Sequence, residues 1–178
     1  MLNIEQIKKR TYAMTPKTAV RNHGQMTLEA PLEPAGMLSG SIILTLDGEI
    51  PVEHLLPGDR IVTRDSGMAI LTSVHRHQVR TRAVRILAGT LGDTRPDRDV
   101  VLPDRQEVLV RDWRAQALFG LRQAAVPVHA LIDGKFIISE GVQTMMLHEV
   151  RFDSGHVIYA DGLELITPNM VVRQASAA

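Results

Sequence analysis

Histidine supplies the chemistry this sequence offers most openly. His75 and His77 stand one residue apart in Val74-His75-Arg76-His77-Gln78; on a strand, two such residues share a face and could hold one metal ion together. The spacing supplies no third ligand, and Arg76 and Arg80 flank the pair, so a solvated strand face is the competing reading and no metal is expected. His148 and His156 lie near a late turn, Asp153-Ser154-Gly155. His156 is the candidate acid or base there, weighed against the ordinary role of a surface histidine in a hairpin. The chain contains no cysteine, which excludes disulfides, thiolate zinc sites and any thiol nucleophile. It also carries no phosphate-binding loop and no paired-carboxylate motif, so no cofactor is expected.

The elements that must position these groups read as strands. Short apolar runs separated by turn residues begin at Ser41, the pattern of an all-β domain. Strands are expected over 41–46, 49–51, 60–64, 69–78, 83–86, 100–102, 107–111, 135–139, 145–152 and 157–160. Asp47-Gly48 is a strong hairpin signal because glycine tolerates the positive φ such turns require. Pro57-Gly58-Asp59 and Ser154-Gly155 read as turns, and Val52 to Leu56 suits one helical turn. Trp113 to Phe119 has helical spacing with Gly120 just beyond, a brief helix capped by glycine. Trp113, the lone tryptophan, is expected to anchor that helix on the sheet.

These assignments divide the chain into an N-terminal leader over 1–35, a folded domain over 36–168 and a disordered tail over 169–178. Within the leader, 2–12 offers a short helix, with Asn3 and Gln6 resembling a capping box, or else a frayed terminus. Pro16, Gly24, Pro31 and Pro34 break up the rest of the leader. At 178 residues the chain can bury a core without a covalent staple. Hydrophobic residues make up 44% and aromatics only 3%, so aliphatic side chains must fill it. Twenty Lys and Arg balance twenty Asp and Glu, which removes the electrostatic footprint of a nucleic-acid binder. Charges occupy the first ten residues, and no apolar run is long enough to span a membrane, so a cytoplasmic location without membrane contact is expected.

The segment Gly40-Ser41-Ile42-Ile43-Leu44-Thr45-Leu46-Asp47-Gly48-Glu49-Ile50-Pro51-Val52-Glu53-His54-Leu55-Leu56-Pro57-Gly58-Asp59-Arg60-Ile61-Val62-Thr63 resembles the opening of a Hedgehog/intein (Hint) domain. Four further segments extend the likeness in order. Ala83-Val84-Arg85-Ile86-Leu87-Ala88-Gly89-Thr90-Leu91-Gly92 is similar to a segment of the family's bacterial subgroup. So are Pro96 through Val110, Asp112 through Gly120 and Phe152 through Gly162. The likeness runs from about Gly36 to about Pro168. It implies a compact all-β fold of two similar halves wrapped around each other, with one or two short helices and the domain's two ends meeting at the active site. It also implies a buried structural ion pair at Arg98-Asp99.

In active relatives, the resemblance implies, the head residue attacks its own preceding carbonyl, which requires a thiol or hydroxyl. A central histidine protonates the leaving nitrogen, a general-acid role worth about 10²–10⁴ in rate. Aligned without gaps, the head position falls on Gly36 and the histidine position on Gln106, within Pro103-Asp104-Arg105-Gln106-Glu107-Val108-Leu109. Glycine cannot attack, and a carboxamide cannot relay a proton at neutral pH. The expectation is a degenerate Hint domain that does not cleave itself, a pseudoenzyme acting as an interaction module for a protein partner. The alternative is a self-processing domain in which Ser39 or Ser41 performs an N-to-O acyl shift, with His156 as the available acid or base. Serines at such places are ordinarily strand-edge or turn residues.

Overall fold

The computed structural model describes residues 35–168. The expectations for the leader up to residue 34 and for the tail lie outside the described residues. Twelve strands and one helix run in order: β1 (Met37–Leu38), β2 (Ile42–Thr45), β3 (Gly48–Pro51), β4 (Arg60–Thr63), β5 (Gly67–Ile70), β6 (Ser73–Ile86), β7 (Val100–Pro103), β8 (Glu107–Val110), α1 (Trp113–Phe119), β9 (Ala124–Pro127), β10 (Ile137–Arg151), β11 (Val157–Ala160) and β12 (Leu163–Ile166). Single 3-10 turns occupy Val52–His54 and Val128–Leu131.

Two sheets share the strands. One runs β1-β10-β6-β7; the other runs β3-β2-β4-β11-β12-β8-β9, with β5 on β4. The first is built on the antiparallel ladder of β6 and β10, from Ile137 opposite Ile86 to Arg151 opposite Ser73, with one bulge between Ser139 and Gly141. The expected strand 69–78 is broken after Ile70, where β5 ends, and its remainder joins 83–86 in one continuous β6; 135–139 and 145–152 likewise fall in or beside one continuous β10. Their middle stretches are polar and exposed, so hydrophobic patterning lapses there, while pairing with each other still satisfies both backbones. No residue pattern marks β1, β9 or β12 in advance. β1 has two residues, β9 is Ala-Ala-Val-Pro, and Glu164 interrupts the apolar run of β12.

The core is aliphatic. Ile43, Ile61, Leu71, Ile86, Leu102, Ile137, Ile158 and Leu165 are fully buried, with Phe152 the one large aromatic among them. α1 begins where the Asp112 carboxylate accepts the Arg114 N–H at 3.0 Å and ends at Gly120, whose φ of 69° suits a residue without Cβ. The helix is anchored by Ala115 and by Leu118 and Phe119, not by Trp113. Trp113 is 67% exposed, with the Arg114 guanidinium 4.9 Å from its ring. The Arg98-Asp99 pair is likewise not a buried ion pair. Arg98 bonds Asp161, while the half-exposed Asp99 lies 3.8 Å from Arg85.

The chain repeats one unit. After β1, the Ser41 N–H donates to Leu38 O at 3.1 Å, a hairpin follows, and the Val52 N–H closes onto Ser41 O at 2.8 Å. After β7, the Gln106 N–H donates to Pro103 O at 3.0 Å, a second hairpin follows, and the Val128 N–H closes onto Gln106 O at 2.9 Å. Both hairpins end in Pro-Val entering a 3-10 turn, with the valine fully buried. α1 is an insertion in the second hairpin. Each half then sends one long strand, β6 or β10, to pair with the other's.

Candidate functional site

Gly36 leads into β1, whose pairing sets Met37 opposite His148. That pairing presses Gly36 against the neighbouring strand. A Cβ on Gly36 would stand 2.8 Å from the carbonyl oxygen of His148 and 3.2 Å from its carbonyl carbon, and the φ of 132° is itself a glycine conformation. Gln106, buried at the start of the second hairpin, reaches the same point. Its Oε1 accepts the Gly36 N–H at 2.8 Å, and its Nε2 donates to Ile166 O at 3.0 Å and to Glu107 O at 2.9 Å. One carboxamide thus ties the head of the domain to its last strand, using its oxygen and both amide hydrogens. Gly36, Met37, Gln106, Glu149, Ile166 and Thr167 line the small cavity beside it.

Ser39 and Ser41 differ sharply. Ser41 is buried, and its backbone carries the repeat contact described above. Ser39 is exposed, and its Oγ lies 2.9 Å from Nε2 of the buried His148. Burial pushes the His148 imidazole below its ordinary value, aided by Arg76 and His77 and opposed by Glu53. Glu53 accepts the Gly40 N–H at 2.8 Å, which holds its carboxyl below the usual range. A hydroxyl therefore faces an imidazole biased toward its neutral form. The serine carried an expectation from sequence; its histidine partner, 109 residues away, did not.

His156 joins neither group. Its Nδ1 lies 2.7 Å from Asp65 Oδ2 and 3.3 Å from Ser66 Oγ, and its Nε2 lies 3.2 Å from Ser154 Oγ. Its ring meets Phe152 edge-on at 5.5 Å. Its backbone makes three bonds with Thr167: the Thr167 N–H donates to His156 O at 2.9 Å, Oγ1 accepts the His156 N–H at 2.9 Å, and the hydroxyl donates to His156 O at 3.1 Å. His75 and His77 are exposed on β6, and among the described residues no three His, Asp or Glu side chains gather as a metal set. No helix among those residues is long and apolar enough to cross a membrane.

The two halves of the domain intertwine, and Gln106 bonds its head to its tail. The family model of the Hint domain matches residues 35–167, and the chain belongs to that family. Among solved structures it is similar to a bacterial intein-like domain from Clostridium thermocellum, with a TM-score of 0.50 and 12% identity, covering 76% of this chain and 99% of that one. It is also similar to the gp41-1 intein, at a TM-score of 0.47 and 10% identity over 76% and 99% of the two chains. For the TvoVMA intein the values are 0.48 and 11%, over 74% and 96%. None of the curated proteins compared with the chain matches it.

Proposed function

We propose that this Hint domain has lost the acyl shift of its family and serves as a folded interaction module, spanning residues 36–168, for a protein partner. One contact carries this reading. Where a nucleophilic side chain would stand, Gly36 leaves no room for a Cβ, and its N–H is bonded to the carboxamide at the place of the proton donor. Restoring only one group would not restore the chemistry, because the attacking atom needs both space and a proton relay. The zero net charge favours a protein surface over a polyanion as partner.

A second reading rests on the Ser39–His148 contact. Ser39 Oγ would attack the Leu38 carbonyl carbon and pass its proton to His148 Nε2. The Leu38–Ser39 C–N bond would then break as the nitrogen takes a proton, leaving an ester. The Ser41 N–H, already on Leu38 O at 3.1 Å, would face the developing oxyanion. The two readings separate in one measurement: the intact mass of the purified chain over several days, with and without hydroxylamine, which cleaves esters. An unchanged mass supports the inert module. A fragment beginning at Ser39, absent in S39A, overturns it.

A further inference from the structure

We propose that Asp65, His156 and Ser154 form a nucleophilic serine site that reacts with small activated acyl or phosphoryl esters supplied from solution. The site is separate from both Gly36–Gln106 and Ser39–His148, and it does not depend on the function proposed above.

Backbone pairing assembles it from two turns. β4 and β11 pair through Thr63 opposite Ile158, and the Arg64 N–H donates to Val157 O at 2.8 Å. These bonds set the β4–β5 turn, with Asp65, against the β10–β11 turn, with Ser154 and His156. Asp65 Oδ1 is occupied by the Val157 N–H at 2.8 Å, so Oδ2 is the oxygen turned to His156 Nδ1 at 2.7 Å. Burial alone would raise the Asp65 carboxyl, but these two bonds hold it below the usual carboxylate range. An ionised carboxylate only accepts, so Nδ1 carries the imidazole proton, and Ser66 Oγ at 3.3 Å is the weaker neighbour. In the neutral ring, Nε2 therefore presents its lone pair to the hydroxyl of Ser154 at 3.2 Å. Nucleophile, base and an orienting carboxylate in this sequence of contacts make a serine a nucleophile.

The step is a simple displacement. As Ser154 Oγ bonds to the acyl carbon or phosphorus, its proton moves to His156 Nε2, and the bond to the leaving group breaks with the electron pair departing on that group. Ser154 lies on an exposed turn, so an intrinsically reactive ester of small size is the class that fits.

The test uses diisopropyl fluorophosphate on the full chain, read by intact mass and peptide mapping. One diisopropylphosphoryl group on Ser154 is expected, with fluoride released and no label in S154A. D65N is the diagnostic variant. The Val157 N–H needs an acceptor, so the new carboxamide must turn its oxygen there and its NH₂ toward His156 Nδ1. That moves the ring proton to Nε2, and labelling should slow at least about 100-fold. Nitrogen NMR of the wild-type ring supplies a readout independent of folding: in the ring's neutral form, the proton is expected on Nδ1. No label on the wild type, label at Ser39 or Ser66 instead, an unchanged rate in folded D65N, or a neutral ring protonated at Nε2 would each overturn the proposal.

Discussion

The carbonyl oxygen of His148 occupies the space a side chain on Gly36 would need, 2.8 Å from the position of its Cβ. The head of this domain therefore has no room for a side chain at this position. G36A must push β1 off β10 and also hold alanine at a φ of 132°. We expect a loss of about 2–3 kcal/mol, read by urea unfolding, from strain and overlap together. An unchanged midpoint would show that β1 shifts freely. The double variant G36C/Q106H should leave the intact mass unchanged even with hydroxylamine, which cleaves thioesters, because the cysteine has no place to sit.

Gln106 is the one side chain, among the described residues, bonded to both ends of the domain. Q106L keeps the volume but strands the Gly36 N–H and the Ile166 carbonyl. Each buried polar group left without a partner costs about 1–3 kcal/mol. We expect a fall of about 2–4 kcal/mol in unfolding free energy, and amide hydrogen exchange should quicken at residues 36–38 and 165–167 before it does elsewhere. Uniform quickening across the domain would count against a local staple.

Acid should weaken the fold through His148. Burial lowers this imidazole's pKa below the unfolded value of about 6.5, so the unfolded chain binds the extra proton. The stability tied to the neutral ring is complete above about pH 6.5. It declines as pH falls from there to the folded-state value, below which the curve flattens. Asp65 and Asp133, whose carboxyls are lowered, act in the same direction but only below about pH 4. Tm measured at about pH 7.5 and about pH 5.5, on either side of the unfolded value, should therefore fall more in the wild type than in H148Q. Equal falls would assign the effect to other groups.

Glu164, buried in β12, receives Arg111 in two bonds at 2.8 and 2.9 Å and Arg64 at 3.2 Å, with Arg95 at 3.6 Å. Removing one partner of a fully buried pair costs about 3–5 kcal/mol. The three arginines each keep roughly a third of their side chains in solvent, so E164Q should cost less, about 1–3 kcal/mol by urea unfolding. The same network explains why a charged residue could sit inside a strand that looked unpromising in sequence.

What could be read from the residues divides along physical lines. The Asp47-Gly48 turn and α1 announce themselves locally: Gly48 has a φ of 112°, and Asp112 and Gly120 cap the helix. β12 does not, since its Glu164 is explained only by arginines distant in sequence. The repeat left a trace in Ile50-Pro51-Val52, Leu55 and Gly58 against Val126-Pro127-Val128, Leu131 and Gly134, which a self-comparison could find. Gly36 and Gln106 could be set side by side through family resemblance, not through any local pattern. Asp65 was invisible as a partner of His156, because only the β4–β11 pairing joins turns 91 residues apart.

The ladder between β6 and β10 joins residue 86 to 137 and residue 73 to 151. Each half of the chain therefore leaves its longest ribbon bare until its counterpart arrives, and sequence-distant closure of this kind slows folding. The counterpart need not come from the same molecule. At high concentration during refolding, two copies are expected to trade halves across this ladder, giving a reciprocally exchanged dimer that keeps the monomer's contacts except in the segment joining the halves.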